Sequence, residues 1–119
     1  MLESGIYIAV FDLTERCQIQ VGKLGCFWFD AGFYLYAGSA QRTLRTRLER
    51  HARKDKSLRW HVDYLSSEAT MIGAMMVPGP REQECRLARE LGKVYTLAVP
   101  RFGASDCRCA GHLFYAREL

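Results

Sequence analysis

The sequence has little that would indicate secretion, membrane insertion or disorder. Its 119 residues include three prolines and no repeated or low-complexity tract, and no apolar run approaches the roughly 18 residues of a membrane helix. The opening segment MLESGIYIAVFDL has no basic residues ahead of its apolar run, so it reads as a β-strand rather than a signal peptide. We therefore expect one cytoplasmic domain over residues 1–119, with no membrane partner.

Cysteine is present in an odd number, which argues against a disulfide framework. In a chain without a recognisable export signal, five cysteines are expected to be reduced thiols whose roles, if they have any, are local. These residues are Cys17, Cys26, Cys85, Cys107 and Cys109.

The net charge of +4 is concentrated in one segment. Residues 42–59 hold eight basic and two acidic side chains, a balance of +6, so the remaining residues sum to −2. Such a patch attracts polyanions, chiefly through phosphate contacts that do not depend on nucleotide sequence, although a solvated helix face is the simpler alternative. The candidate nucleic-acid-binding residues are Arg42, Arg45, Arg50, Arg53, Lys54 and Lys56.

Hydrophobic periodicity predicts an α/β (α+β) fold, with a small mixed or antiparallel sheet flanked by helices. The first strand is apolar on both faces and is expected to be central. Pro80 suits the first turn of the last helix, and Gly92 suits its end. Strands are predicted at about 5–12, 17–22, 26–29, 33–38, 69–77 and 112–116, and helices at about 40–55, 58–65 and 80–92.

The predicted arginine-rich helix has an apolar face and a charged face. Arg47 lies at their border, roughly 40° around the helix from His51, so its guanidinium can reach inward and present paired donors to a phosphate. The alternative is that Arg47 lies beside the core with its head group in water. The apolar face consists of Leu44, Leu48, His51 and Ala52, and the charged face of Arg42, Arg50 and Arg53.

Glu84 falls within the apolar arc that Leu87, Ala88 and Leu91 define on the last predicted helix. A carboxylate there is costly unless it is paired, hydrogen-bonded or bound to a cation. Magnesium is one such cation, because it often uses a single protein carboxylate together with waters and substrate phosphate. The alternatives are a first-turn glutamate favoured by the helix N-terminus, or an ion pair with a buried arginine.

Two tripeptides, GIY at residues 5–7 and YAG at residues 36–38, precede Arg47 on the next predicted helix and Glu84 on the last one. In this order they resemble the GIY-YIG nuclease superfamily over nearly the whole chain, with alanine where the second motif usually has isoleucine or valine. The two motifs lie about twice as far apart as in most of that superfamily, so residues 14–31 resemble an inserted hairpin. With RWHVDYL, ECRLA and SDCRCAGHLFY further on, this insertion is similar to the Uri-like branch.

The resemblance implies an endonuclease that hydrolyses phosphodiester bonds in DNA, or less favourably RNA, with Mg²⁺ or Mn²⁺. It implies that Tyr7 is the general base, that Tyr36 orients the water or the phosphate, that Arg47 stabilises the developing charge, and that Glu84 binds the metal. Taken singly, either tyrosine is more typical of a core residue with a solvated hydroxyl. Only the combination favours catalysis.

Two histidines are candidates for assisting the base. His61 lies near the position of a histidine found in many members of the superfamily that the chain resembles, although a neutral histidine supporting Asp63 is an equal alternative. His51, one turn beyond Arg47, is the weaker candidate.

The tail carries ligand types that suit zinc, namely Cys107, Cys109 and His112, with Cys85 or Asp106 as a potential fourth. Its single-residue cysteine spacing differs from the usual zinc-finger pattern. We therefore expect a loop beside the active site without structural zinc, in which Asp106 and His112 support the metal-binding residues without touching the metal.

Two rival functions remain open at this stage. A non-catalytic nucleic-acid-binding module would keep the same fold and basic helix, and a zinc-stabilised domain would bind proteins. The sequence names neither the cleaved structure nor the oligomeric state, because no motif encodes groove or loop contacts.

Overall fold

The structure, a computed structural model that describes residues 3–119, contains seven strands and three helices in that range. Five of the strands form one sheet whose neighbours all run antiparallel, which confirms the predicted α+β class. The strands are β1 (Gly5–Leu13), β2 (Cys17–Val21), β3 (Gly25–Phe29), β4 (Gly32–Ala40), β5 (Thr70–Val77), β6 (Thr96–Leu97) and β7 (Leu113–Ala116), and the helices are α1 (Leu44–Ala52), α2 (His61–Ser66) and α3 (Gln83–Val94).

Strand β1 lies inside the sheet, whose order is β5-β1-β4-β7-β6. Its alternate residues Tyr7 and Phe11 enter a core shared with α1 and α2, whereas Ile8 and Val10 pack toward a second core that contains residues of α3. Both faces of β1 are therefore covered, as its two-sided apolar pattern predicted. Strand β4, not β1, occupies the middle of the sheet.

The pairing of β1 with β4 brings the two tyrosine tripeptides together. Tyr7 lies opposite Gly38 in the antiparallel register, and a Cβ atom at position 38 would lie 2.5 Å from the Tyr7 hydroxyl oxygen. Glycine is therefore needed at this position for the tyrosine ring to lie against the neighbouring strand. The second tripeptide thus makes room for the side chain of the first.

The predicted insertion is a separate two-stranded sheet, in which β2 and β3 pair around a 3₁₀ turn at Gly22–Leu24. Ile19, Val21 and Phe29 anchor this hairpin in the core shared with α1 and α2. The β1–β4 register continues without a shift to Leu13 and Gly32, so the hairpin leaves Tyr7 in its paired position.

Several predicted boundaries were wrong. Helix α1 is shorter than the predicted 40–55, because β4 continues to Ala40 and the extended backbone of Arg53 ends the helix. Ala52 at its end is exposed rather than part of the buried face. Helix α3 begins after a turn in which the Gln83 amide donates to the Pro80 carbonyl, and it continues past Gly92 to Val94. The two-residue strand β6 was not predicted. None of the helices within residues 3–119 has the length and apolar character needed to cross a membrane.

Candidate active site

A cavity of about 970 Å³ opens beside the end of β4, between the three helices and the loop that follows β6. It brings together all five side chains predicted for catalysis or metal binding. These come from β1, β4, α1, α2 and α3, and are Tyr7, Tyr36, Arg47, His61 and Glu84.

Tyr7 is only 1% exposed, and its hydroxyl oxygen lies 2.7 Å from Nε2 of His51, which is equally buried. Burial raises the pKa of Tyr7 well above its ordinary value, against the lowering effect of the nearby Arg47 charge. Burial and the Lys56 charge lower the pKa of His51 to about 4, so this histidine is neutral at pH 7. His51, the weaker candidate on sequence grounds, is therefore the partner of Tyr7.

Tyr36 lies against the same pair of residues. Its ring centroid is 6.3 Å from that of Tyr7 and 6.0 Å from that of His51. A Cβ atom on Gly103, whose φ is 70°, would lie 2.9 Å from the Tyr36 ring, so a glycine is needed there. Burial raises the pKa of Tyr36 well above its ordinary value, and its hydroxyl is protonated at neutral pH.

Arg47 reaches inward, as predicted. Its Nη1 donates to the Ser39 carbonyl oxygen at 3.1 Å, and its guanidinium carbon lies 4.4 Å from the ring centroid of Trp60. A cation over an aromatic face is attracted by the ring's quadrupole, which holds the guanidinium in place. The guanidinium carbons of Arg50 and Arg59 also lie within 4.9 and 5.5 Å of this ring. Trp60 was not singled out from the sequence.

Glu84 is held by two hydrogen bonds and not by an arginine. Its Oε1 accepts from the Ser39 hydroxyl at 2.6 Å, and its Oε2 lies 2.9 Å from Nδ1 of the fully buried His112. Burial opposes ionisation, yet these two contacts keep the pKa of Glu84 below its ordinary value. The alternative of a buried arginine partner is therefore wrong, and His112 supports Glu84 as expected.

His61 accepts a hydrogen bond at Nδ1 from the Gly103 amide at 2.8 Å and packs on Phe102. Burial lowers its pKa. It does not support Asp63, whose Oδ2 instead accepts from the backbone amides of Arg59 and Trp60. The alternative in which His61 supports Asp63 is therefore wrong, because the hydrogen-bond partner of His61 is the Gly103 amide.

The predicted nucleic-acid-binding residues divide into two groups. Arg50 does not point away from the protein, because its Nη2 pairs at 2.7 Å with the fully buried carboxylate of Asp63. Lys56 donates to the Arg50 carbonyl at 2.9 Å and to Ser66, so it caps α1. Both cations are used inside the protein, Arg50 on a buried carboxylate and Lys56 on carbonyls in the last turn of α1.

The remaining four predicted cations are exposed. Arg42 lines the cavity, whereas Arg45 pairs with Glu49 one turn along α1 at 3.0 Å. Two cations that the sequence analysis did not select, Arg59 and Arg81, also line the cavity. Arg53 and Lys54 are exposed and are not among the lining residues.

The cysteine-containing tail is a loop beside the cavity, as predicted. The ligand atoms of Cys85, Cys107, Cys109 and His112 lie within 4.8 Å of one another. Asp106 does not join this cluster, since its exposed carboxylate lies 3.8 Å from Arg81. All five cysteines are free thiols.

The fold and the cavity define a class of α+β protein, in which two strands of an antiparallel sheet contribute tyrosines, and two helices contribute an arginine and a glutamate, to one basic-rimmed opening. The chain belongs to the family described as Domain of unknown function DUF123, whose family model matches residues 6–119. No curated protein and no solved structure matches the chain.

Proposed function

We propose that the protein is a metal-dependent endonuclease of the GIY-YIG type, in its Uri-like branch, that hydrolyses phosphodiester bonds in DNA. The observation that carries this proposal is the meeting of Tyr7, Tyr36, Arg47 and Glu84 in one open cavity. A proton acceptor, a fixed guanidinium and a carboxylate can together activate water, stabilise charge and bind a metal around one phosphate.

A polyanionic substrate suits the rim of the cavity. Arg42, Arg59 and Arg81 line it, and the first two belong to the strongly basic segment. Phosphate groups would be attracted here without regard to nucleotide sequence. The half-buried Trp60 ring, which lines the cavity, and the arginines stacked on it supply the apolar and cationic surface that unpaired bases favour.

Glu84 fits a divalent metal. Each of its oxygens accepts one hydrogen bond and keeps a lone pair, and the residue faces an opening large enough for waters and a phosphate. Glu84 would hold Mg²⁺ or Mn²⁺, which supplies positive charge to the phosphate and acidifies water. Ser39 and His112 hold the carboxylate in its position.

Tyr7 and His51 would move the proton. In this proposal, Tyr7 takes a proton from the attacking water while its own hydroxyl proton passes to Nε2 of the neutral His51, 2.7 Å away. Tyr7 gains one proton and loses one, so it never becomes a free phenolate. This suits a site in which burial raises the pKa of Tyr7. His51 would hold the proton only transiently, because its low pKa favours release of the proton to solvent.

Arg47 and Tyr36 complete the proposed site. The Arg47 guanidinium, held over Trp60 and against the Ser39 carbonyl, would stabilise charge on the phosphate oxygens. Tyr36 keeps its proton and would donate it in a hydrogen bond to the water or to a phosphate oxygen.

The burial of Tyr7 favours one rival, a nucleic-acid-binding module without activity. Incubation of the protein with labelled single-stranded, branched, damaged and duplex DNA and RNA, with Mg²⁺ or with a chelator, distinguishes the two. If the protein is a nuclease, we expect discrete cleavage products from at least one DNA structure, formed only when Mg²⁺ is present. Binding to the same substrates without cleavage in any metal would support the module instead.

A further inference from the structure

Three thiols and one imidazole converge beside the candidate active site. Nε2 of His112 lies 3.6 Å from Sγ of Cys107 and 4.0 Å from Sγ of Cys85, and all four ligand atoms of the cluster lie within 4.8 Å of one another. A regular tetrahedron with metal–ligand bonds of about 2.3 Å has edges of about 3.8 Å. The two distances from His112 are close to this edge, and the remaining pairs exceed it by about 1 Å at most, so a small inward movement would bring all four ligands onto one ion.

His112 is oriented for ligation by its own surroundings. Its Nδ1 lies 2.9 Å from Glu84 Oε2 and 3.3 Å from the Ala37 carbonyl oxygen, two acceptors that place the ring proton on Nδ1. Nε2 then carries the free lone pair and faces the sulfur atoms. A carboxylate behind a histidine in this way is the usual support of a zinc-binding imidazole.

The loop that carries two of the thiols is shaped by Arg101. Its guanidinium donates to the carbonyls of Cys109, Ala104 and Cys107 at 2.6 to 2.7 Å. Arg101 also has a φ of 66°, an uncommon value for a residue other than glycine. Such strain persists only where surrounding contacts determine the backbone, so the loop holds Cys107 and Cys109 in set positions.

We propose that Cys85, Cys107, Cys109 and His112 form a structural zinc site. Thiolate and imidazole ligands favour zinc over magnesium, and four protein ligands close the tetrahedron without leaving a position for substrate. Binding converts three thiols to thiolates, with release of three protons to solvent. This replaces the expectation of a tail without zinc, which rested on the unusual cysteine spacing and left the fourth ligand open between Cys85 and Asp106; α3 brings Cys85 to the cluster.

The proposed zinc site ties three parts of the fold together. Cys85 belongs to α3, Cys107 and Cys109 to the loop after β6, and His112 precedes β7. Because His112 also contacts Glu84, the zinc ion would fix the carboxylate that faces the cavity. The site is separate from the proposed magnesium position and does not require that the protein be a nuclease.

Metal content tests this proposal directly. The full chain, without a metal-binding tag, is purified in a thiol reductant with no added zinc, and its zinc is measured by mass spectrometry. We expect about one zinc ion per chain. Cys107→Ser should lose most of it, whereas Cys26→Ser, which alters an exposed cysteine outside the cluster, should retain it.

Cobalt provides a second readout that does not depend on the folding of a variant. When the wild-type chain is freed of metal by a chelator and titrated with Co²⁺, we expect the thiolate-to-cobalt charge-transfer band and the intense visible bands of a tetrahedral site. A folded wild-type chain with substoichiometric zinc and no such bands would overturn the proposal. Equal zinc in Cys107→Ser and Cys26→Ser would overturn it as well.

Discussion

The Tyr7 hydroxyl and Nε2 of His51 lie 2.7 Å apart in the buried interior between β1 and α1. This contact joins the first tyrosine tripeptide to the arginine-rich helix, and it gives the candidate general base a direct path for a proton. His51 Nδ1 has no hydrogen-bond partner among residues 3–119, so protonating this ring would bury a charge without compensation.

Protonation of His51 should destabilise the fold at acid pH. Its pKa falls from 6.5 in the unfolded chain to about 4 in the folded one, so the unfolded state binds the extra proton first. Stability is therefore fully present above pH 6.5 and lost as pH falls toward 4, by about 3 kcal/mol. His51→Gln should lose less over this window in urea unfolding measured at several pH values. An equal loss in both proteins would contradict the assignment.

The same low pKa predicts the acid limb of the pH–rate profile. If His51 must be neutral to accept the proton, cleavage should stay high down to about pH 5 and decline near pH 4. Cleavage of one labelled substrate under single-turnover conditions measures this limb. An apparent pKa of 6.5 would instead point to an exposed histidine.

Arg50 is predicted to be a stability residue. Removing it would leave the buried carboxylate of Asp63 without its ion-pair partner, at a cost of about 3 to 5 kcal/mol. Arg50→Met should therefore unfold at lower denaturant concentration, whereas Arg53→Met, on an exposed neighbour, should not. Equal midpoints for the two variants would show that the Arg50–Asp63 pair contributes little.

Arg47 should act through its planar pair of donors. Arg47→Ala is expected to lower the cleavage rate by about 10² to 10³, through loss of charge stabilisation at the phosphate. Arg47→Lys should recover only part of that loss, because an ammonium group does not reproduce the guanidinium's two parallel hydrogen bonds or its stacking on Trp60. Full activity of the lysine variant would reduce the role of Arg47 to a positive charge.

Salt dependence should identify the cations that contact nucleic acid. Neutralising Arg42, Arg59 and Arg81, which line the cavity, should reduce the slope of log affinity against log salt by about 0.7 to 0.9 per lost phosphate contact. A matched variant lacking Arg45, Arg53 and Lys54, which are exposed but not among the lining residues, should change it less. A larger change in the variant lacking Arg45, Arg53 and Lys54 would instead indicate that the exposed face of the arginine-rich helix is the binding surface.

The sequence predicted the elements of the fold better than their ends. The two-sided apolar run of β1 and the turn at residues 22–25 are local signals, and both appear in the structure. The preference of proline for the first helical turn predicted that α3 begins at Pro80. Residues 80–83 form a turn instead, and the helix begins at Gln83. Hydrophobic periodicity carries no information about the hydrogen bonds that set the ends of a helix.

For the site, the sequence selected the residues that face the cavity but not their partners. Arg50 was misassigned because a helical wheel does not show a buried carboxylate arriving from α2. Cys85 lies 22 residues before Cys107, and only the packing of α3 against the sheet brings the two thiols together. His51 was undervalued for the same reason, since its contact with Tyr7 crosses from helix to strand.

The magnesium dependence of cleavage in two neighbouring glutamate variants tests the proposed function most directly. Glu84→Gln removes the carboxylate charge that faces the cavity, whereas Glu82→Gln alters an exposed glutamate two residues earlier that also lines the cavity. Both proteins are titrated with Mg²⁺ against one labelled DNA substrate, and their thermal unfolding confirms that each is folded. We predict that Glu82→Gln cleaves with the magnesium dependence of the wild type and that folded Glu84→Gln does not cleave. Cleavage by Glu84→Gln at wild-type rate and magnesium concentration would contradict the proposal.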